Sequence, residues 1–194
     1  LVASLVGSFV GSVAGFYGGK LDDLLMRTTD YFLSFPSLVA LIMFAKIFGG
    51  SVLAVVGVLS ILAWMPIARI VRGVFLSLKE KEFIEAARGS GARNTRIIAR
   101  HMLPNSLGPI IVNLTLTIAG AIVTESTLSF LGFGIQPPTP TWGNLLTDAQ
   151  IQATTAPWLI WFPGFAILVT VLCVNFLGDG LRDAFDPTQQ RVRA

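Results

Sequence analysis

The stretch WLIWFPGFAILVTVLCVNFLG (residues 158–178) contains no charged residue and no histidine. An α-helix rises about 1.5 Å per residue, so about 20 apolar residues cross a hydrocarbon core about 30 Å thick. This run is long enough, and it sits inside a still longer uncharged stretch, Ala149–Gly178. The chain around it has the same character. Of its 194 residues, 53% are hydrophobic and only 13% charged, and the mean hydropathy is +0.72. A soluble domain carries about 25% charged residues. The composition therefore excludes an ordinary soluble domain and points to an integral membrane protein.

Outward from that run, four more apolar segments can be drawn. They are Leu1–Tyr17, Tyr31–Phe48 with Lys46 near its end, Val52–Ile70, and the stretch from Ser106 to Glu125. Pro36, Pro66 and Pro163 fall within or near the ends of these segments, as membrane helices tolerate. The expected fold is all-α, a polytopic transmembrane helical bundle with about five spans. The chain opens at Leu1, already inside an apolar run and without a basic region before it. We expect an N-terminally truncated chain rather than a signal peptide.

Lys and Arg concentrate on the cytoplasmic side of membrane proteins. Lys20 and Arg27 lie between the first two runs. Arg69, Arg72, Lys79, Lys81, Arg88, Arg93, Arg96 and Arg100 lie at or between the third and fourth. Arg182, Arg191 and Arg193 follow the fifth. These regions alternate and can share one side; only Lys46 falls toward the other. The connection Gly132–Pro157 has no Lys or Arg and is expected outside, which places the C-terminus in the cytoplasm. The net charge of +3 then reflects topology, and no nucleic-acid partner is expected.

Gly7, Gly11 and Gly15 recur every four residues, with Ser4, Ser8 and Ser12 beside them. Such small-residue ridges let two helix backbones approach closely in lipid. Whether the partner helix is in this chain or another stays open. Gly18-Gly19 then reads as a flexible exit into an inside loop.

The inside connection, about 78–105, is densely charged yet patterned. Charged residues alternate with Phe83, Ile84, Ala86 and Ala87, as in a short amphipathic helix. Gly89-Ser90-Gly91 breaks it. Asn94 is expected to cap a second short helix, Pro104 to stop it, and Asn105 or Ser106 to cap the next membrane helix. Two helices on a tight turn make a rigid projection that suits contact with a soluble partner. An amphipathic hairpin lying on anionic membrane lipid fits the same pattern.

The spacing Glu85-Ala86-Ala87, three residues, Gly91, nine residues, His101, one residue, Leu103-Pro104 resembles the loop signature of permease subunits in ATP-binding cassette importers. His101 stands where that signature is often apolar. The stretches GGKLDDLLMRTTDYFLSFPSLV (18–39) and STLSFLGFGIQPPTPTWGNLL (126–146) are similar to the peptide/nickel group, most of all to the second of its two paired permeases. The resemblance runs from Gly18 to about Asp186. It implies six spans in the full chain, a single permease domain over 1–186 and a cytoplasmic tail over 187–194. It implies that Glu85–Gly91 form a coupling helix docking on an ATPase subunit, and that Leu103-Pro104 set the return to the membrane. The implied partners are a sister permease, two ATP-binding subunits and an extracytoplasmic substrate-binding protein, in the bacterial cytoplasmic membrane. ATP and Mg would sit in the partner subunits, with no cofactor here.

Other residues leave alternatives. Glu125, at the outer end of its span, is either a substrate or gate contact or a structural hydrogen-bonding group. Asn113 and Asn175 either line a pathway or bond across helices. The outer loop reads as an irregular surface, and through the resemblance Gln136, Trp142 and Asp148 become candidates for docking the binding protein. A membrane-skimming connector is the other reading. Cys173 and His101 have no second ligand nearby, so no metal site is expected. Zinc-protease, nucleophile-elbow and phosphate-loop motifs are absent, so the chain is expected to be a transporter subunit rather than an enzyme. A gradient-driven secondary transporter and a non-transporting scaffold subunit are the alternatives. The transported solute (peptide, nickel or another small solute) is not written in these residues.

Overall fold

The computed structural model describes residues 1–185, so Arg191, Arg193 and the 187–194 tail lie outside the described residues. The chain runs α1 (Val2–Tyr17), α2 (Gly19–Leu33), α3 (Ser37–Phe48), α4 (Val52–Lys79), α5 (Glu82–Gly89) and α6 (Asn94–Ile97). A π-helical turn (Ile98–Met102), α7 (Leu103–Phe130), α8 (Trp142–Ile151) and α9 (Trp158–Phe185) follow. No strand occurs among the described residues. Two compact units emerge, one from 1–34, 63–114 and the described residues from 178 onward, the other from 35–62 and 115–177.

In the first unit, α1 lies along the C-terminal half of α4. A methyl group built on Gly15 would stand 2.7 Å from Phe75 Cβ and 2.8 Å from the Arg72 carbonyl. Gly7 and Gly11 meet Ile67, Ala68 and Val71 in the same way. The glycine ridge therefore packs against a helix of its own chain, which settles the choice the sequence left open. Phe16, Ile67, Val71 and Phe75 form the core here, joined by Ile84, Ile97 and Met102 from the charged hairpin.

In the second unit, Leu41, Val58 and Leu128 make a smaller core with Phe44, Leu62 and Phe133 around it. Lys46, the cation that broke the charge pattern, rests its ammonium 5.2 Å from the Phe133 ring centroid, an attractive cation–π arrangement.

Several expectations need correction. Five spans were expected. By length and apolar character three helical stretches suffice, Val52–Lys79, Asn94–Phe130 and Trp158–Ala184, with a fourth if α2 and α3 form one broken span. Val2–Tyr17 is a shorter apolar helix. The run Tyr31–Phe48 is not continuous, because Phe35 precedes a proline and is pushed out of helical geometry; Pro36 itself has ψ 112°. The "inside loop" after Gly18-Gly19 is helical, carrying Lys20 and Arg27 on α2. The irregular outer loop contains α8, whose first turn is capped by Thr141 accepting from the Asn144 amide at 3.1 Å. Pro137, Pro138 and Pro140 precede that cap, and Pro157 follows α8.

Candidate functional site

The hairpin between α4 and α7 is built on three fully buried side chains, Ile84, Ile97 and Met102. Each comes from a different helical segment, and each enters the core that holds Phe16 and Phe75. Arg88 adds a contact, its guanidinium carbon lying 5.9 Å from the Phe16 ring centroid. The projection is thus fixed to α1 and α4 rather than hanging from them.

Its turn has a specific geometry. The Gly91 amide donates to the Arg88 carbonyl at 2.9 Å, and the Ala92 amide donates to the Ala87 carbonyl at 3.1 Å. With Gly91 at φ +76°, these are the two bonds of a Schellman helix ending, which needs a left-handed residue after the cap. Ala87 and Ala92, the pair joined by the longer-range bond, both pack on the core. Their small size lets the two arms approach.

The second arm departs from expectation at both ends. Asn94 is the first residue of α6, with Arg93 at the cap and no side-chain cap bond. Pro104 does not stop the helix. The chain stays helical from Asn94 to Phe130, because the π turn just before it, where the Leu103 amide reaches back to the Ile98 carbonyl, relieves the lost donor and ring clash. Asn105 and Ser106 do not cap either. Both donate backwards, Asn105 Nδ2 to the His101 carbonyl at 2.6 Å and Ser106 Oγ to the Leu103 carbonyl at 2.8 Å.

Ala86, Ala87 and Gly91 come together around one hollow of about 420 Å³, which His101 also lines. Glu85 is exposed on α5, outside that lining, and Leu103-Pro104 sit exposed in the first turn of α7. The candidate pathway residues are scattered. Glu125 Oε1 accepts from Ser129 Oγ at 2.7 Å. Asn113 Nδ2 donates to the Pro109 carbonyl at 2.8 Å. Asn175 has a buried Oδ1 without a partner.

The candidates of the loop after α7 all fall in the second unit. The Gln136 amide donates to the Gly50 carbonyl at 2.9 Å, and its side chain bonds the Gly132 and Gly134 carbonyls. Trp142 begins α8 half-buried and Asp148 stands exposed on it. Sequence reasoning missed two charged pairs between α2 and α4, Asp22–Arg72 and Asp30–Arg69. Pairs fifty and thirty-nine positions apart leave no local pattern to read.

A family model described as binding-protein-dependent transport system inner membrane component matches residues 7–191. The oligopeptide transport system permease protein OppC of Haemophilus influenzae is 44% identical over 186 residues, covering 96% of this chain and 60% of that protein. The dipeptide transport system permease protein DppC of Alkalihalophilus pseudofirmus is 44% identical over 185 residues, covering 95% and 61%. The chain thus spans under two thirds of the length of these curated relatives. A structure of the MetNI methionine ABC transporter in an inward-facing conformation superposes with a TM-score of 0.71 at 20% identity, covering 95% of this chain and 91% of that one. That likeness speaks for the fold.

Proposed function

Since the chain belongs to the family of binding-protein-dependent transport system inner membrane components, we propose that it is the membrane-spanning permease subunit of an ATP-driven peptide importer. Relatives named for oligopeptide and dipeptide transport support peptides over nickel or related small solutes. The setting is a bacterial cytoplasmic membrane with the hairpin and C-terminus inside. A sister permease completes the pathway, and a binding protein delivers solute to the outer face, where Gln136, Trp142 and Asp148 are docking candidates. Two ATP-binding subunits carry ATP and Mg; this chain hydrolyses nothing.

One observation carries the reading: the hairpin combines an exposed tip with a buried root. Glu85, Ala86 and Gly91 are exposed, while Ile84, Ile97 and Met102 anchor the same segments in the core of α1 and α4. A push on the tip is therefore transmitted to membrane helices instead of being absorbed by a loop. A conformational equilibrium shifts only when a partner binds its states differently, so the ATPase must hold this tip differently in its open and closed forms.

The test is co-purification of ATPase subunits with the full-length protein, wild type against Ala87→Glu, with peptide uptake in vesicles. The wild type should bring the ATPase and the variant should lose it. A well-folded wild type that takes up peptide without any ATPase would instead favour a gradient-driven transporter, and one without uptake a scaffold.

A further inference from the structure

The hollow in the hairpin has an uneven lining. Ala86, Ala87 and Gly91 form a wall of minimal side chains, and Phe83, 42% exposed, adds apolar surface. Arg96 and His101 are the only ionisable groups that line it, and no carboxylate does. Arg96 is exposed and forms no salt bridge among the described residues. The pairing of Arg96 with His101 depends on the π turn. Five residues along a regular α-helix rotate by about 140° beyond a full turn, at 3.6 residues per turn. The i→i+5 bond from Leu103 to Ile98 inserts an extra residue there, and both side chains reach the same hollow.

We infer that this hollow receives a protruding acidic side chain of the ATPase subunit, an Asp or Glu beside an apolar residue. The inference rests on the permease reading above. Arg96 holds the carboxylate, because a guanidinium fork matches carboxylate geometry with two parallel hydrogen bonds. His101 supplies a further N–H donor. The apolar neighbour lies against Phe83 and the alanine wall. Anionic lipid headgroups offer the same charge but a flat surface. Such a surface would draw on Arg93 as much as on Arg96, whereas only Arg96 lines the hollow.

The experiment uses the full-length chain with its sister permease in nanodiscs of zwitterionic phosphatidylcholine, and measures the affinity of the ATPase subunit. Arg96→Glu should weaken association at least about tenfold, Arg93→Glu no more than about twofold, and Arg96→Lys should fall between, keeping charge but losing the fork. Equal effects of Arg93→Glu and Arg96→Glu overturn the inference, since a general field would then explain both. An Arg96→Glu effect that appears only when anionic lipid is added also overturns it and assigns the hollow to headgroups. Ala87→Glu separates the two levels. If it leaves ATPase binding intact, the docking reading itself falls. If it abolishes binding while Arg96→Glu does not, only the present inference falls.

Discussion

The Asp22 carboxylate accepts two hydrogen bonds from the Arg72 guanidinium, one from Nε at 2.5 Å and one from a terminal nitrogen at 2.6 Å. They tie the first turn of α2, where a helix N-terminus also favours negative charge, to α4. Asp22 is 7% exposed. Asp22→Ala leaves a partly buried guanidinium without its partner and should cost about 1–3 kcal/mol. Asp30 and Arg69 form a second pair on the same two helices, but both are exposed, so Asp30→Ala should cost about 0–1 kcal/mol. The thermal midpoint of the solubilised full-length protein checks this; a larger drop for Asp30→Ala reverses the assignment.

The glycine ridge of α1 makes a prediction with an internal control. A Cβ at Gly11 meets the Ala68 carbonyl and lies 2.9 Å from Val71 Cβ, backbone and stem atoms that cannot swing away. Gly11→Val should force α1 off α4 and lower stability by about 1–3 kcal/mol, the usual cost of overpacking. Gly73, on α4 itself, has nothing within 4 Å of a built Cβ, and Gly73→Ala should be neutral or better by up to about 1 kcal/mol through helix propensity. Protease resistance in detergent would rank the two variants, and equal loss from both would mean that the ridge does not set the α1–α4 approach.

The apolar runs that became α7 and α9 were legible because bilayer crossing is written in composition. The hairpin turn was legible because Gly91 sits where only a left-handed residue ends α5. What the sequence hid was nonlocal. The segment Gly19–Leu33 looks like a loop because Lys20, Asp22, Asp23 and Arg27 crowd it, and the Asp22–Arg72 pair that fastens it joins positions fifty apart. Pro104 reads as a stop because the local rule is sound; the π turn that suspends it follows Ile97 and ends at Met102, both buried in the core by contacts that a local pattern does not show. The coming together of Arg96 and His101 depends on that same turn, so a regular helical wheel separates them.

At the C-terminal end of α7, Ser129 Oγ donates to Glu125 and accepts from the Ile135 amide at 3.1 Å. Ser129→Ala strands that amide in a part-buried site and should raise its exchange rate, at a cost of about 1–3 kcal/mol. Glu125→Gln keeps an acceptor for Ser129 and should leave exchange across residues 131–136 close to wild type. If Glu125→Gln preserves exchange yet abolishes peptide uptake, the carboxylate acts on solute or gate instead of holding the loop.

Gly132 ends α7 with the same geometry that Gly91 gives α5. Its φ is +79°, its amide donates to Ser129, and the Phe133 amide donates to the Leu128 carbonyl at 2.8 Å. Leu128 and Phe133 pack together in the second core, as Ala87 and Ala92 pack on the first. Replacing either glycine with Ala should cost about 1–2 kcal/mol, because a Cβ in the left-handed region crowds the following carbonyl. The two strains should match in thermal midpoint but differ in consequence. Gly91→Ala lies in the hairpin tip and, under the proposed permease function, should also reduce ATPase stimulation by peptide, whereas Gly132→Ala should leave the ratio of hydrolysis to uptake unchanged. Matching losses of coupling from both variants would mean that the helix ending matters for stability alone, and that the hairpin tip has no separate part in coupling.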